Sequence, residues 1–183
     1  MEAPQTEVAT YNYQPKIFTY LEESKKYNSL KKYLLKNESK FISYTFDGNT
    51  KNVPETLNKI VKCLTKSERI LNLKTNWDGE NSEGFSKETW IGVSNFLLNY
   101  SYKIYHNYGN LIDLPKIYPS SNGSIDLDWE TDNYGMIINV AKGGQLATYY
   151  ADNIGKQMTE GVFNPMEFNF NLLPKAITEN NEN

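Results

Sequence analysis

The chain has 183 residues, a formal net charge of −3, one cysteine and one histidine. One cysteine excludes an intramolecular disulfide and a cysteine-based metal site, and one histidine excludes Ser-His-Asp, Cys-His and multi-histidine zinc chemistry unless a partner completes the set. Only 39% of residues are hydrophobic, but fourteen tyrosines add apolar area, so the length and composition predict one domain.

Charge is distributed unevenly along the chain. Residues 16–74 contain 13 Lys and Arg against 6 Asp and Glu, a balance of +7, whereas residues 75–183 contain 6 against 14, a balance of −8. The asymmetry indicates either a basic face for nucleic acid or two parts of a domain that attract each other. No apolar run approaches the roughly 20 residues that span a bilayer, and the polar N-terminus is unlike a secretory signal. We therefore expect a cytoplasmic protein without membrane contact.

The N-terminal region is predicted to be partly irregular and partly helical. Residues 1–14 have no hydrophobic periodicity and are expected to be a flexible arm. Apolar spacing over residues 15–36 favours two short helices. The β-branched and aromatic residues 41–46 predict a strand, which a turn at Asp47-Gly48 ends.

Two longer helices follow. Pro54 occupies a typical first-turn position, and a stripe of apolar residues then recurs at helical spacing through about Leu73. The second helix is predicted between an N-cap at Ser86 and a C-terminal cap at Gly109. We expect the two helices of residues 54–108 to pack side by side and to share an apolar face.

The remainder alternates as β-strands do. Between Ser124 and Glu130, apolar residues alternate strictly with acidic ones. Gly143-Gly144 predicts a hairpin. Short turns force antiparallel neighbours in sequence order, so residues 116–164 are predicted to form a β-meander. Its other strands are expected at residues 116–118, 136–140, 146–150 and around 161–163.

The arrangement that covers every apolar stripe is an α+β fold. We expect a two-layer sandwich in which the helix pair covers one face of the C-terminal antiparallel β-meander. The domain would span residues 15–173, with residues 15–53 as a helical and strand extension and residues 174–183 as a disordered tail.

Asp126, Asp128 and Glu130 are the clearest candidates for a functional site. Their period-two spacing projects three carboxylates from one side of a strand, about 7 Å apart. Three interpretations remain open: the solvent face of a half-exposed sheet, a divalent cation site of a metal-dependent hydrolase or nuclease with Asp152 as a further ligand, and an acidic face that binds a partner protein with a basic surface.

A tryptophan loop is the second candidate. Trp77 and Asp78 lie in an Asn-Trp-Asp-Gly-Glu stretch, where the tryptophan is expected either to anchor the turn by packing beneath it or, if exposed, to act as a binding hot spot. No G-x-G-x-x-G or Walker pattern occurs, so no cofactor is predicted.

A lysine-rich and tyrosine-rich stretch gives a third candidate. Lys25, Lys26, Lys31 and Lys32 alternate with tyrosines, a pattern typical of single-strand nucleic-acid binders, in which rings stack on bases and lysines contact phosphates. The acidic net charge disfavours this function, and nucleic-acid binding through the N-terminal region is kept as an alternative.

Several segments carry a resemblance to known sequences. The segments are an Asn-Trp-Asp-Gly loop ahead of a helix and a Gly-Ser-Ile-x-Leu-x-Trp strand, within residues 71–80, 86–90, 119–130 and 147–153. They resemble small prokaryotic proteins to which no activity is assigned. The resemblance covers about residues 55–163 and implies that the Trp77 loop and the Trp129 strand belong to one scaffold. Ala151 departs from the pattern, which has glycine before Asp152.

These observations favour a non-enzymatic protein–protein interaction module of a prokaryote or its virus, of the antitoxin, immunity, inhibitor or accessory-subunit type. The reasons are the missing catalytic set, the small size, the acidic strand face and the abundance of tyrosine, a typical interface residue. A metal-dependent hydrolase or nuclease is the first alternative, and nucleic-acid binding is the second.

Overall fold

A computed structural model of the chain describes residues 40–109, 111–131, 134–153 and 157–167. The predicted N-terminal arm, the helices of residues 15–36 and the C-terminal tail lie outside the described residues. The first part of the described chain contains strands β1 (Phe41–Phe46) and β2 (Asn49–Pro54), a 3₁₀ turn, helix α1 (Asn58–Ser67), a second 3₁₀ turn and helix α2 (Lys87–Tyr108).

Five further strands form one antiparallel sheet in sequence order. They are β3 (Lys116–Pro119), β4 (Ile125–Thr131), β5 (Tyr134–Val140), β6 (Ala147–Asn153) and β7 (Gln157–Phe163). The predicted α+β class and β-meander are therefore confirmed. β6 is longer than predicted, so Ala151 is a buried strand residue opposite Met136 rather than part of a turn.

The two faces of β4 have opposite character, as the alternation in its sequence predicts. Ile125, Leu127 and Trp129 are at most 2% exposed and face the helices, whereas Asp126, Asp128 and Glu130 project from the other side. Inward residues of β5 and β6 are also buried, because cross-strand neighbours share a face.

Helix α2 is the central element of the described chain. From Thr89 to Ser101 none of its residues is exposed, because strands β4 and β5 pack on it from one direction, and α1 and the strand β2 pack on it as well. Its predicted ends are confirmed: Ser86 Oγ accepts the Thr89 N–H at 3.2 Å, and Gly109 adopts φ 71°. Two long helices that share an apolar face were expected, but α1 has only ten residues.

The prediction that Pro54 begins a helix was wrong. Asp47 and Gly48 both have positive φ, 46° and 78°, as a type I′ hairpin turn requires. The turn therefore starts a second strand, and Pro54 pairs with Phe41 at its end. A 3₁₀ turn then separates β2 from α1.

The first helix also ends earlier than its apolar stripe predicts. The α-helix stops at Ser67 and the chain continues as a 3₁₀ helix, Glu68–Asn72. A 3₁₀ helix has three residues per turn instead of 3.6, so a different residue of this segment faces the core. Ile70 is 4% exposed, while the predicted core residue Leu71 is only half-buried.

A buried hydrogen bond joins the β1–β2 hairpin to α2. The Trp90 indole N–H donates to the Tyr44 hydroxyl at 2.8 Å, and both side chains are buried. The Phe46 ring meets Trp90 edge-on, with centroids 6.5 Å apart. Burial raises the pKa of Tyr44 well above its ordinary value of 10.0.

A backbone contact joins α2 to the turn between β5 and β6. Gly144 has φ +72°, and a Cβ added there would lie 2.0 Å from the Glu88 carbonyl oxygen. A Cβ on Gly92 would lie 2.5 Å from the Gly144 carbonyl oxygen. The neighbouring Gly143 N–H donates to Thr89 Oγ1 at 3.0 Å. Helix and turn therefore meet with no room for a side chain at either glycine.

Replacing Gly144 with alanine should destabilise the fold far more than replacing Gly143. Both glycines have positive φ, but a Cβ on Gly143 meets nothing within 4 Å, so Gly143→Ala should cost about 1–2 kcal/mol from backbone strain alone. Gly144→Ala adds a clash with helix backbone and should cost at least about 3 kcal/mol. Urea denaturation of both variants tests this, and equal losses would contradict the contact.

Tyr44→Phe should lower the free energy of unfolding by about 1–3 kcal/mol, because the buried Trp90 N–H loses its acceptor. The raised pKa of Tyr44 means that the unfolded state ionises first. Stability due to this group is therefore complete below pH about 10 and falls as pH rises further.

Tyr44→Phe should lose the part of the alkaline decline in the free energy of unfolding that is due to ionisation of Tyr44. Urea denaturation between pH 8 and pH 11 measures it, with Tyr118→Phe, at a tyrosine that is 46% exposed, as the matched control. An alkaline decline as steep in Tyr44→Phe as in the Tyr118→Phe control would refute this assignment.

Candidate functional site

The sheet face opposite the helices, called the outer face below, carries large apolar side chains that remain exposed. Ile137, Tyr150, Met158 and Val162 project from β5, β6 and β7, and Tyr118 projects from β3; their exposed fractions range from 38% to 66%. Strand registers place all five on the side of Asp126 and Asp128. No described element of the chain covers them.

The apolar residues are concentrated on the β5–β7 half of the outer face. Ile137 and Tyr150 are direct cross-strand neighbours, and the Tyr150 hydroxyl lies 2.9 Å from Met158 Sδ. An open concavity of about 430 Å³ lies here, with Thr148, Val162 and the acidic residue Glu160 also in its lining. This half of the face offers apolar contact area and a depression that could receive a side chain of a partner.

Carboxylates are most frequent on the β4 half of the outer face, and two more lie on the β5–β7 half. Asp126, Asp128 and Glu130 follow one another on β4, and Asp152 and Glu160 add carboxylates from β6 and β7 by their register. On this described face the basic residue is Lys116, whose ammonium lies 3.5 Å from a Glu130 oxygen with both groups well exposed. An exposed pair of this kind contributes little to stability, and the face remains strongly negative.

The three predicted carboxylates of β4 do not have equivalent surroundings. Asp126 accepts a hydrogen bond from Asn139 Nδ2 at 2.6 Å and another from the Ser120 hydroxyl. Asn139 also donates to Ser124 Oγ at 2.7 Å. Asp126 therefore holds the β3–β4 turn against β5. Asp128 and Glu130 lie beyond this network and are the members of the row that are best placed to meet a partner.

The predicted metal ligands are spread over the sheet. Glu130 and Asp152 both pair with Gly135, from opposite sides of β5, which separates their backbones by two strand spacings, about 10 Å. Among the described residues, no group of three or more His, Cys, Asp or Glu side chains could hold a metal ion.

The tryptophan loop is folded onto the β3–β4 turn. The Trp77 indole donates to the Glu83 carbonyl oxygen at 3.1 Å, and its half-buried ring lies 6.1 Å from that of Phe85. The Glu83 N–H in turn donates to the Ser121 carbonyl oxygen at 2.7 Å. Trp77 therefore serves as an anchor of the loop, one of the two roles that its sequence indicated.

Asp78 has a local structural role. Its Oδ1 accepts the Glu80 backbone N–H at 2.9 Å, and this bond lowers the pKa of Asp78. The carboxylate itself remains exposed. Lys25, Lys26, Lys31 and Lys32, the residues of the nucleic-acid hypothesis, lie outside the described part of the chain.

The exposed apolar half of the outer face escaped the sequence reasoning. Residues 136–140 are almost all apolar, which indicates a strand without distinguishing its two faces. Strand register could have predicted the exposed position of Ile137. Asp128 pairs with Ile137 across the β4–β5 hairpin, and paired residues project from the same face of a sheet, so Ile137 shares the outer face with the carboxylates.

Comparisons with known proteins found no similar protein, so the outer face is interpreted from its geometry alone. The chain matches no protein-family model, no curated protein and no solved structure at a significant level. None of the helices in the described ranges is long and apolar enough to cross a bilayer. What the structure defines is an α+β protein with a five-stranded antiparallel sheet whose acidic and apolar outer face the described elements leave open.

Asp126→Ala should cost about 1–2 kcal/mol of stability, because the Asn139 amide and the Ser120 hydroxyl lose their acceptor. Asp128→Ala, two residues along the same face, should change stability by no more than about 0.5 kcal/mol. Urea denaturation at neutral pH compares them. Equal losses would mean that Asp126 has no special role in holding the turn.

Proposed function

We propose that this protein is a non-enzymatic protein-binding module whose outer face docks a partner presenting basic and apolar side chains. One observation carries the proposal: five exposed apolar side chains and five carboxylates share one sheet face that the described elements leave open. Contiguous apolar surface edged by polar groups is typical of protein-interaction sites.

The dimensions of the face suit a modest interface. Five strands at about 4.8 Å spacing and up to seven residues at about 3.3 Å give roughly 24 by 23 Å, or about 550 Å² in projection. A standard interface buries about 800 Å² on each partner. The outer face can therefore provide most of one side of such a contact, completed by neighbouring turns.

The two halves of the face would contribute differently to binding. The apolar half around Ile137 and Tyr150 would supply affinity, because tyrosine and aliphatic contacts exclude water at little entropic cost. The acidic half around Asp128 and Glu130 would favour basic partners, accelerate encounter and fix orientation. Binding should consequently weaken and slow as salt is added.

A partner with a basic surface is consistent with the antitoxin, immunity, inhibitor or accessory-subunit role that the sequence favours. An acidic face would compete directly with nucleic acid for a partner surface that binds phosphates. We extend the proposal to that class of role, in a prokaryote or its virus, on the strength of the sequence resemblance to small prokaryotic proteins.

Site-specific photo-crosslinking tests the proposed surface. A photoreactive residue at Tyr150, on the outer face, should capture a defined protein in cells of the native host, whereas one at Thr65, exposed on α1, should not. Asp128→Lys with Glu130→Lys should reduce affinity for the captured protein at least about tenfold, mainly through slower association. Capture of the same protein from both positions, or undiminished affinity of the charge-reversed variant, would refute the assignment.

A further inference from the structure

A segment of this same chain has the chemistry that the outer face would recognise. Residues 24–37, called the lysine-rich segment below, contain no acidic residue and five lysines, namely Lys25, Lys26, Lys31, Lys32 and Lys36. Between the lysines are apolar and aromatic residues, including Leu30, Tyr33 and Leu34. The outer face carries the opposite charge and a matching apolar half.

We propose that the lysine-rich segment binds across the outer face of its own chain and occupies that surface until a partner displaces it. This inference rests on the proposed function, since it regulates the same face. The structure contributes the face itself: its exposed apolar side chains and its carboxylates lie on one side of a single sheet.

The sequence of the segment places its apolar and basic groups suitably for such binding. Leu30, Tyr33 and Leu34 recur at i, i+3 and i+4, the spacing of one helical stripe. That stripe would fill the concavity beside Ile137 and Tyr150. The flanking lysines would then meet carboxylates on β4, β6 and β7, especially Asp128 and Glu130, because Asp126 is already engaged by Ser120 and Asn139.

The segment is tethered close to the described chain. Leu34, the last residue of the apolar stripe, lies six residues before Lys40, where the described chain begins, and an extended connection of that length spans about 20–22 Å. The radius of a globular domain of this size is about 18 Å, similar to that span. Tethering at this distance gives an effective concentration in the millimolar range, so even weak binding would keep the face largely occupied.

A second copy of the chain is a poorer occupant for the same face. Two outer faces brought together would place five carboxylates against five, and like charges in contact oppose association. The lysine-rich segment brings five positive charges instead. Charge complementarity therefore favours the segment over face-to-face self-association.

Zero-length carbodiimide coupling of the full chain, followed by mass spectrometry, tests the contact directly. We expect amide crosslinks from the segment lysines to Asp128, Glu130, Asp152 or Glu160, with yields that fall as salt rises. Lys62 and Lys66, exposed on α1, are the matched control lysines and should not link to these carboxylates. An equal mixture of ¹⁴N and ¹⁵N chains should give links within one chain.

A peptide supplied in trans gives an independent measurement. The combined variant Lys25→Glu, Lys26→Glu, Lys31→Glu and Lys32→Glu should vacate the face while retaining the circular dichroism spectrum and Tm of the wild type. A synthetic peptide of residues 24–37 should then bind this variant at least about tenfold more tightly than the wild-type chain. Adding Asp128→Asn and Glu130→Gln to the variant should abolish that gain.

The outcomes separate this inference from the proposed function. Segment lysines that link only to other carboxylates, links found only between ¹⁴N and ¹⁵N chains, or equal peptide affinity for both chains would each overturn the intramolecular contact. If one of these results were found together with specific capture of a partner at Tyr150, the outer face would be supported as a binding surface and only its occupation by the lysine-rich segment would be refuted. Intramolecular links without any partner at Tyr150 would support the contact and refute the proposed function.

Discussion

The close approach of Gly92 and Gly144 sets the distance between the central helix and the sheet. Because neither position has room for a Cβ, α2 lies directly on the β5–β6 turn, and its remaining inward residues reach the buried side chains of β4 and β5. The same helix presents Trp90 to Tyr44 of the hairpin. A wider separation at the glycines would weaken the contacts on the sheet side of α2, so the packing of the helix on the sheet depends on this contact.

Sequence reasoning succeeded where the decisive interactions are local. The caps at Ser86 and Gly109 and the turns of the meander are determined by neighbouring residues, and the alternation in β4 identified its two faces correctly. It failed at Pro54 and at the end of α1. The structure at Pro54 depends on its pairing with Phe41, and the end of α1 depends on the change from an α-helix to a 3₁₀ helix. A stripe of apolar residues predicts neither of these effects.

The candidate site was predictable to a similar extent. The carboxylate row was evident from period-two spacing, but the role of Asp126 depends on a partner thirteen positions away, Asn139. The apolar half of the face depends on registers across four strands. A strand such as β5, with apolar residues on both faces, gives no local sign of which residues remain exposed. Burial and exposure on such a strand are decided by what packs on each side.

The nearly complete burial of α2 has a consequence for synthesis of the chain. Thr89 to Ser101 has no exposed residue in the fold, yet the strands that cover it on the sheet side are made afterwards, and β5 ends at Val140. At about 5–20 residues per second, the roughly 40 residues in between take about 2–8 s to synthesise, and the apolar surface of this helix lacks its cover for that time. During that interval the nascent chain presents an exposed apolar helix to the ribosome surface and to chaperones. The period between synthesis of α2 and synthesis of the strands that cover it is therefore the stage at which the chain is most prone to misfold.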